Sequence, residues 1–232
     1  MKYIVVLGDG MADYKLKELG GRTPLQCAKK PAIDALAAHS EVGLCRTVPA
    51  GFKPGSDVAN LSVMGYDPHD CYTGRSPLEA VSIGIALKDT DVTLRCNLVT
   101  LSDEEEYEKK TMLDYSAGEI TTAEAVQLVD ALKKELDGEG YTLYAGVSYR
   151  HCLVCKEGKT GHDLTPPHDI TDKPIAQYLP KGPRSEEFLD MMKRSEKILR
   201  EHPVNRARAA AGKRIATRRS IVSSAADSRL TP

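Results

Sequence analysis

The chain predicts an α/β fold: a layered core with a mostly parallel sheet, interrupted by an inserted α+β subdomain. Three observations lead there. The opening apolar run Lys2–Leu7 stops at Gly8-Asp9-Gly10, two proline-led helix starts follow, and the pattern changes near residue 90, where a long strand and a capped amphipathic helix begin. Strand, helix and strand in succession is the order a parallel sheet with crossover connections requires.

Lys2–Leu7 is rich in β-branched and aromatic residues and reads as a buried strand ending in a tight loop. Thr23-Pro24 and Lys30-Pro31 each place proline at a first helical position, where its missing N–H costs nothing. The second of these helices would turn Ile33, Leu36 and Ala37 inward, and Val42–Val48 would return as a strand. Beyond residue 90, Val92–Leu101 is a long strand and Asp103–Lys110 a polar turn region. Thr121 with Glu124 three residues on forms a capping box for a helix whose buried stripe is Ala125, Leu128, Val129, Leu132 and Leu136, ending at Gly138. Tyr141–Tyr144 and Arg150–Lys156 read as antiparallel strands, Thr165–Pro183 as a loop-rich return, and Ser185 as the cap of a helix with Phe188, Met191, Met192, Ile198 and Leu199 on one face. The expected organisation is therefore a core portion over 1–90, the α+β subdomain over 91–180, a linker and returning helix over 181–205, and a basic tail over 206–232.

The chain has 232 residues, enough for one large domain or two small ones, and its 32 basic and 33 acidic residues nearly cancel. No overall field recruits nucleic acid or an anionic membrane, and no apolar run reaches the length of a signal peptide or a membrane span. The chain reads as soluble and cytoplasmic, with six cysteines as free thiols; no oligomeric state follows from it. The even total hides an asymmetry. From Arg206 onward there are seven basic residues and one acidic residue, Asp227, with no aromatic and no sustained period, so this tail is expected to be disordered or at most partly helical.

In open α/β sheets, sites gather at the carboxyl ends of strands. Asp9 leaves the first strand there, flanked by glycines; it suits a hard divalent cation, or is a plain turn residue. Ser56, in Pro54-Gly55-Ser56-Asp57-Val58-Ala59-Asn60-Leu61-Ser62, falls at the start of a helix-compatible run, where free amides and the macrodipole favour negative charge. It is a nucleophile or an ordinary N-cap. No histidine lies near it in sequence, so a metal is the expected activator. Arg75, Arg95 and Arg150, the last beside His151, could converge on a small multiply charged anion, or each form a surface ion pair. Cys152 and Cys155 lie in an apparent strand, where residues three apart face opposite ways, so a pair of buried thiols is preferred to a zinc site.

Taken in order, Leu7-Gly8-Asp9-Gly10-Met11-Ala12-Asp13, the Pro54–Ser62 run, Gly65-Tyr66-Asp67-Pro68, Tyr72-Thr73-Gly74-Arg75-Ser76-Pro77-Leu78-Glu79-Ala80, Arg95-Cys96-Asn97-Leu98-Val99-Thr100, Asp114–Thr121, Tyr149-Arg150-His151 and Pro167-His168-Asp169-Ile170-Thr171 resemble the archaeal-type cofactor-independent phosphoglycerate mutases. These belong to the alkaline phosphatase superfamily, and the resemblance runs from residue 1 to about residue 213. It implies an alkaline-phosphatase-like core, two divalent ions (Mn2+ or Mg2+, with Zn2+ a further option), Asp9 and Ser56 as metal ligands, and Ser56 as the nucleophile that takes phosphate from one phosphoglycerate hydroxyl and returns it to the other. Arg95, Arg150 and His151 would hold the substrate from the inserted subdomain, with Arg75 on the core side; His168 and Asp169 stay unassigned. A similar bacterial subgroup carries the label of a proposed homoserine kinase, although no Gly-x-x-x-x-Gly-Lys-Ser/Thr loop is present to hold a nucleotide.

The departure from the family lies at the C-terminal end. Family members are much longer, and their second half supplies the remaining metal ligands. After Gly212-Lys213 the expected apolar continuation gives way to Ile215-Ala216-Thr217-Arg218-Arg219-Ser220, the kind of switch a reading-frame shift produces. A truncated mutase with a non-native tail is the expectation, binding metal weakly and catalysing little, with a catalytically dead phospho-acid-binding fragment as the alternative.

Overall fold

The computed structural model describes residues 2–8, 10–138 and 140–227, the last ten by backbone alone. The chain divides into two units, residues 1–46 and 47–232.

In the first unit, Thr23 accepts from the Gln26 amide, Gln26 reaches back to the Thr23 N–H, and Pro24 opens α1 (Pro24–Cys27). Pro31 opens α2 (Pro31–Ala37) in the same way. Both predicted starts are present. The two strands predicted around them are not: 2–7 and 42–48 have no strand partner among the described residues, and Tyr3–Leu7 are between 52% and 87% exposed. A parallel strand is held by neighbours at its edges and helices on its faces, and β-propensity without them orders nothing. For the same reason Ile33 and Leu36 of α2 are exposed rather than turned into a core.

The second unit begins with three short helices, α3 (Ser56–Val63), α4 (Pro68–Cys71) and α5 (Arg75–Ser82). The sheet follows. β1 (Val92–Leu101) pairs antiparallel with β2 (Met112–Asp114) near its end and with β4 (Arg150–Cys155) along its length, and β4 pairs antiparallel with β3 (Tyr141–Tyr144). Between them runs α6 (Thr122–Leu136), its N-terminus closed by the predicted Thr121–Glu124 box and its buried face made of the five predicted residues. α7 (Ser185–Glu201) starts one residue off expectation: Arg184, in the left-handed region at φ 56°, is the cap, and Ser185 is the first helical residue.

β1 alternates Val92, Leu94, Cys96 and Leu98 with Thr93, Arg95 and Asn97, the period of two that separates the faces of a strand. The apolar set packs with Leu128, Leu132, Phe188 and Leu199 of α6 and α7 into the main core. The polar set faces the side where Ala80 of α5 meets Cys152 and Val154 of β4 in a smaller apolar cluster. The chain thus mixes helices and strands as an α/β fold should, but its described sheet is antiparallel; the mostly parallel core sheet has no strand among the described residues.

The tail also differs from expectation. α8 (Pro203–Ala210) runs through its start, and β5 (Arg218–Asp227) pairs antiparallel with β1 from Val92 to Val99. An open strand edge offers unpaired N–H and C=O groups to any extended segment, so pairing can make a strand where composition gives no period. No helix among the described residues is long and apolar enough to cross a membrane.

Candidate active site

Arg95 is in the middle of β1, and Arg150 and His151 open β4; the register sets Arg95 against Cys152 and Asn97 against Arg150. Directly opposed residues share a face, so the two arginines lie on the α5 side of the sheet. There Arg95, Arg150 and His151 border one cavity of about 160 Å³ with Ser76, Glu79 and Cys152. His151 borders it together with Gly146, whose N–H donates to His151 Nδ1 at 3.1 Å. An Nδ1 that accepts this bond leaves the ring proton on Nε2.

Each cation is held differently. Arg150 lies over the Tyr149 ring, 4.8 Å from its centre, and donates through Nη2 to Tyr149 Oη at 2.8 Å. Arg95 pairs with Glu79, Nε to Oε2 at 2.9 Å, and Arg75 pairs with the other oxygen, Nε to Oε1 at 2.7 Å. Arg75 and Glu79 are one helical turn apart, the spacing at which helical side chains meet. Burial first, and then the nearby charges of Cys96, Glu79 and Cys155, push the Cys152 thiol far above its ordinary range, so at neutral pH it is an inert wall of the cavity.

Ser56 does not border the cavity. It is the exposed first residue of α3, after Gly55 as cap, so its hydroxyl is at the helix start but is not the capping group. Its surroundings are held by contacts within the helical segment. Its neighbour Asp57 accepts a short hydrogen bond from the Tyr72 hydroxyl, and Tyr72 stacks edge-on against Phe52. Burial and then the Asp57 bond hold the Tyr72 phenol well above its usual range, against the opposing charge of Arg75. Asp9 lies outside the described residues. Among the described residues no three His, Cys, Asp or Glu side chains come together as a metal site. Cys152 and Cys155 are both buried within β4, and His168 is half exposed beside Asp169, with its ring edge-on to Tyr115.

Glu79, Tyr72, Asp57 and Gly146 were not singled out from the sequence. The four-residue spacing of Arg75 and Glu79 would have signalled Glu79 had a helix been expected there; the others depend on contacts between elements.

Residues 37–205 match the family of 2,3-bisphosphoglycerate-independent phosphoglycerate mutases. Proteins carrying that name from Methanosarcina barkeri and, as its number 2, from Methanothermobacter thermautotrophicus are 50% and 51% identical to this chain over 92% and 94% of it. A solved cofactor-independent phosphoglycerate mutase from Thermoplasma acidophilum superposes with a TM-score of 0.54 at 27% identity, over 94% of this chain and 57% of that one. The chain spans about half the length of the curated relatives it matches, 52% in both cases given.

Proposed function

Because the chain belongs to the 2,3-bisphosphoglycerate-independent phosphoglycerate mutase family, we propose that it binds 3- and 2-phosphoglycerate at the cavity bordered by Arg95, Arg150 and His151. Ser56 then carries the phosphoryl group between the two hydroxyls. One observation supports this above the rest: two guanidiniums and an imidazole from β1 and β4 border a single cavity, beside a third guanidinium held on the same carboxylate as the first. Guanidinium edges match carboxylate and phosphate oxygens with two parallel hydrogen bonds, and a small acid carrying both groups needs several of them.

In the first half of the reaction the Ser56 oxygen attacks phosphorus as the bond from phosphorus to the substrate oxygen breaks, and the serine proton passes to that departing oxygen, leaving phosphoserine and glycerate. Glycerate turns within the site, its other hydroxyl attacks the phosphoserine, and Ser56 regains a proton. The start of α3 favours the phosphorylated state, since its unpaired backbone N–H groups and dipole stabilise negative charge at that end. The arginines keep glycerate bound while it turns.

The two divalent ions, Mn2+, Mg2+ or Zn2+, belong to this proposal through the family resemblance, with Asp9 and Ser56 as ligands. The described residues do not form a site for them, so no step is routed through a cation. A cytoplasmic location is part of the same reading.

Phosphorus NMR of the protein with 3-phosphoglycerate, with and without added Mn2+, tests it. Appearance of 2-phosphoglycerate that Ser56→Ala abolishes supports the mutase. Binding by calorimetry without turnover reduces the chain to a phospho-acid-binding unit, and turnover undiminished in Ser56→Ala removes the nucleophile.

A further inference from the structure

The Glu79 carboxylate is shared between two guanidiniums, one oxygen to each: Oε1 accepts a hydrogen bond from Arg75 Nε at 2.7 Å, and Oε2 lies 2.9 Å from Arg95 Nε as an ion pair without hydrogen-bond geometry. A carboxylate held this way leaves to its partners the paired Nη groups, an edge that can grip an oxyanion. Arg95 has a side chain only 16% exposed that borders the cavity, and among the described residues Glu79 is its one charged partner. Arg75 comes from α5 and Arg95 from β1, so one carboxylate ties a helix and a strand together at the wall of the site.

We propose that Glu79 is a positioning residue for anion binding: anchored through its other oxygen to Arg75, it holds the Arg95 guanidinium so that the remaining Arg95 N–H groups meet the oxyanion of a ligand in the adjoining cavity. This rests on the reading of that cavity as the phospho-acid site. The physical reason is the entropy of arginine. A guanidinium on a long side chain samples many rotamers, and each one immobilised at the moment of binding weakens the complex; a carboxylate that has already fixed Arg95 removes that cost before the ligand arrives.

The proposal makes a prediction opposite in sign to simple electrostatics. Glu79→Gln removes a negative charge beside an anion site, which by Coulomb attraction alone should tighten anion binding. A positioning carboxylate requires the reverse.

The test is calorimetric titration of the whole chain with inorganic phosphate and with 3-phosphoglycerate, for the wild type and for Glu79→Gln, Glu79→Ala, Glu79→Asp and Arg95→Gln. Expected are binding that Arg95→Gln removes, a loss of about tenfold in Glu79→Ala, a smaller loss in Glu79→Gln, and partial rescue in Glu79→Asp. Equal or tighter binding in Glu79→Gln overturns the proposal while leaving the phospho-acid site standing. Absence of binding, or binding indifferent to Arg95→Gln, overturns the site and the proposal together. A second readout does not depend on affinity. The Arg95 Nε–Hε resonance in nitrogen-15 spectra should broaden or shift in Glu79→Gln, and a resonance unchanged from the wild type refutes the positioning role.

Discussion

Arg208 Nη1 donates to Glu124 Oε2 at 2.8 Å, the same carboxylate oxygen that accepts from the Thr121 amide at the start of α6. The guanidinium, only 4% exposed, also donates to the carbonyls of Ala117, Gly118 and Arg214, so one side chain of α8 satisfies the turn before α6 and the segment after α8. That turn is bent sharply, with Ala117 and Glu119 both at positive φ, and its orientation sets where α6 begins.

Arg208→Met keeps most of the volume and removes every donor, leaving the buried Ala117 carbonyl without its donor and the capping carboxylate with Thr121 alone. A loss of about 2–4 kcal/mol in urea unfolding is expected, against less than about 1 kcal/mol for Arg214→Met, whose ion pair with Asp114 is exposed on the arginine side. The pH dependence has a definite sign. Burial raises the Glu124 pKa, but the hydroxyl and amide of Thr121 and the Arg208 guanidinium outweigh it, so the carboxyl is held below its ordinary value. Its contribution is therefore present above the ordinary carboxylate range and lost as pH falls through the lowered folded value. Arg208→Met should flatten that part of the stability profile.

A second acid-sensitive contact lies at the other end of α8. His202 caps that helix, its Nδ1 accepting from the Val204 N–H at 3.3 Å, and burial holds the imidazole below its ordinary pKa. The unfolded chain therefore takes up the proton first. Stability is unaffected above the ordinary histidine value and declines as pH falls below it, because a protonated ring can no longer accept the amide. His202→Asn retains a capping acceptor without the titration, so its urea midpoint should change less than the wild type's between about pH 7.5 and about pH 5. An identical decline in both proteins would show that the histidine is not its source.

What could be read beforehand divides along a physical line. The limits of β1, the Thr121 box and the stripe of α6 were legible because they are local: alternation, a capping pair and a 3.6-residue period lie in neighbouring positions. Lys2–Leu7 has equally strong β-propensity, but forming a strand depends on a partner edge, and among the described residues it has none. Arg218–Asp227 is the converse, a segment without period that pairs with β1. At the candidate site, residue type alone singled out Arg75, Arg95 and Arg150, and the family resemblance added His151 as an expected substrate contact. Glu79 was missed because its second partner, Arg95, arrives from another element.

Gly146 is the last position where a small change should separate shape from charge. A Cβ built there would lie 2.4 Å from the Arg150 carbonyl oxygen and 3.3 Å from its carbon, both backbone atoms that cannot rotate away. Gly146→Ala must therefore push residues 145–149 off the start of β4, breaking the bond from its N–H to His151 Nδ1 and moving one wall of the cavity. Nothing charged is lost, yet the proposed phosphoglycerate binding should weaken severalfold while stability falls by about 1–3 kcal/mol. Gly138→Ala supplies the comparison, because a Cβ there meets nothing within 4 Å and leaves the cavity alone. Urea unfolding and calorimetry on the two variants check it: a Gly146→Ala protein that binds like the wild type would mean that residues 145–149 do not shape the anion site.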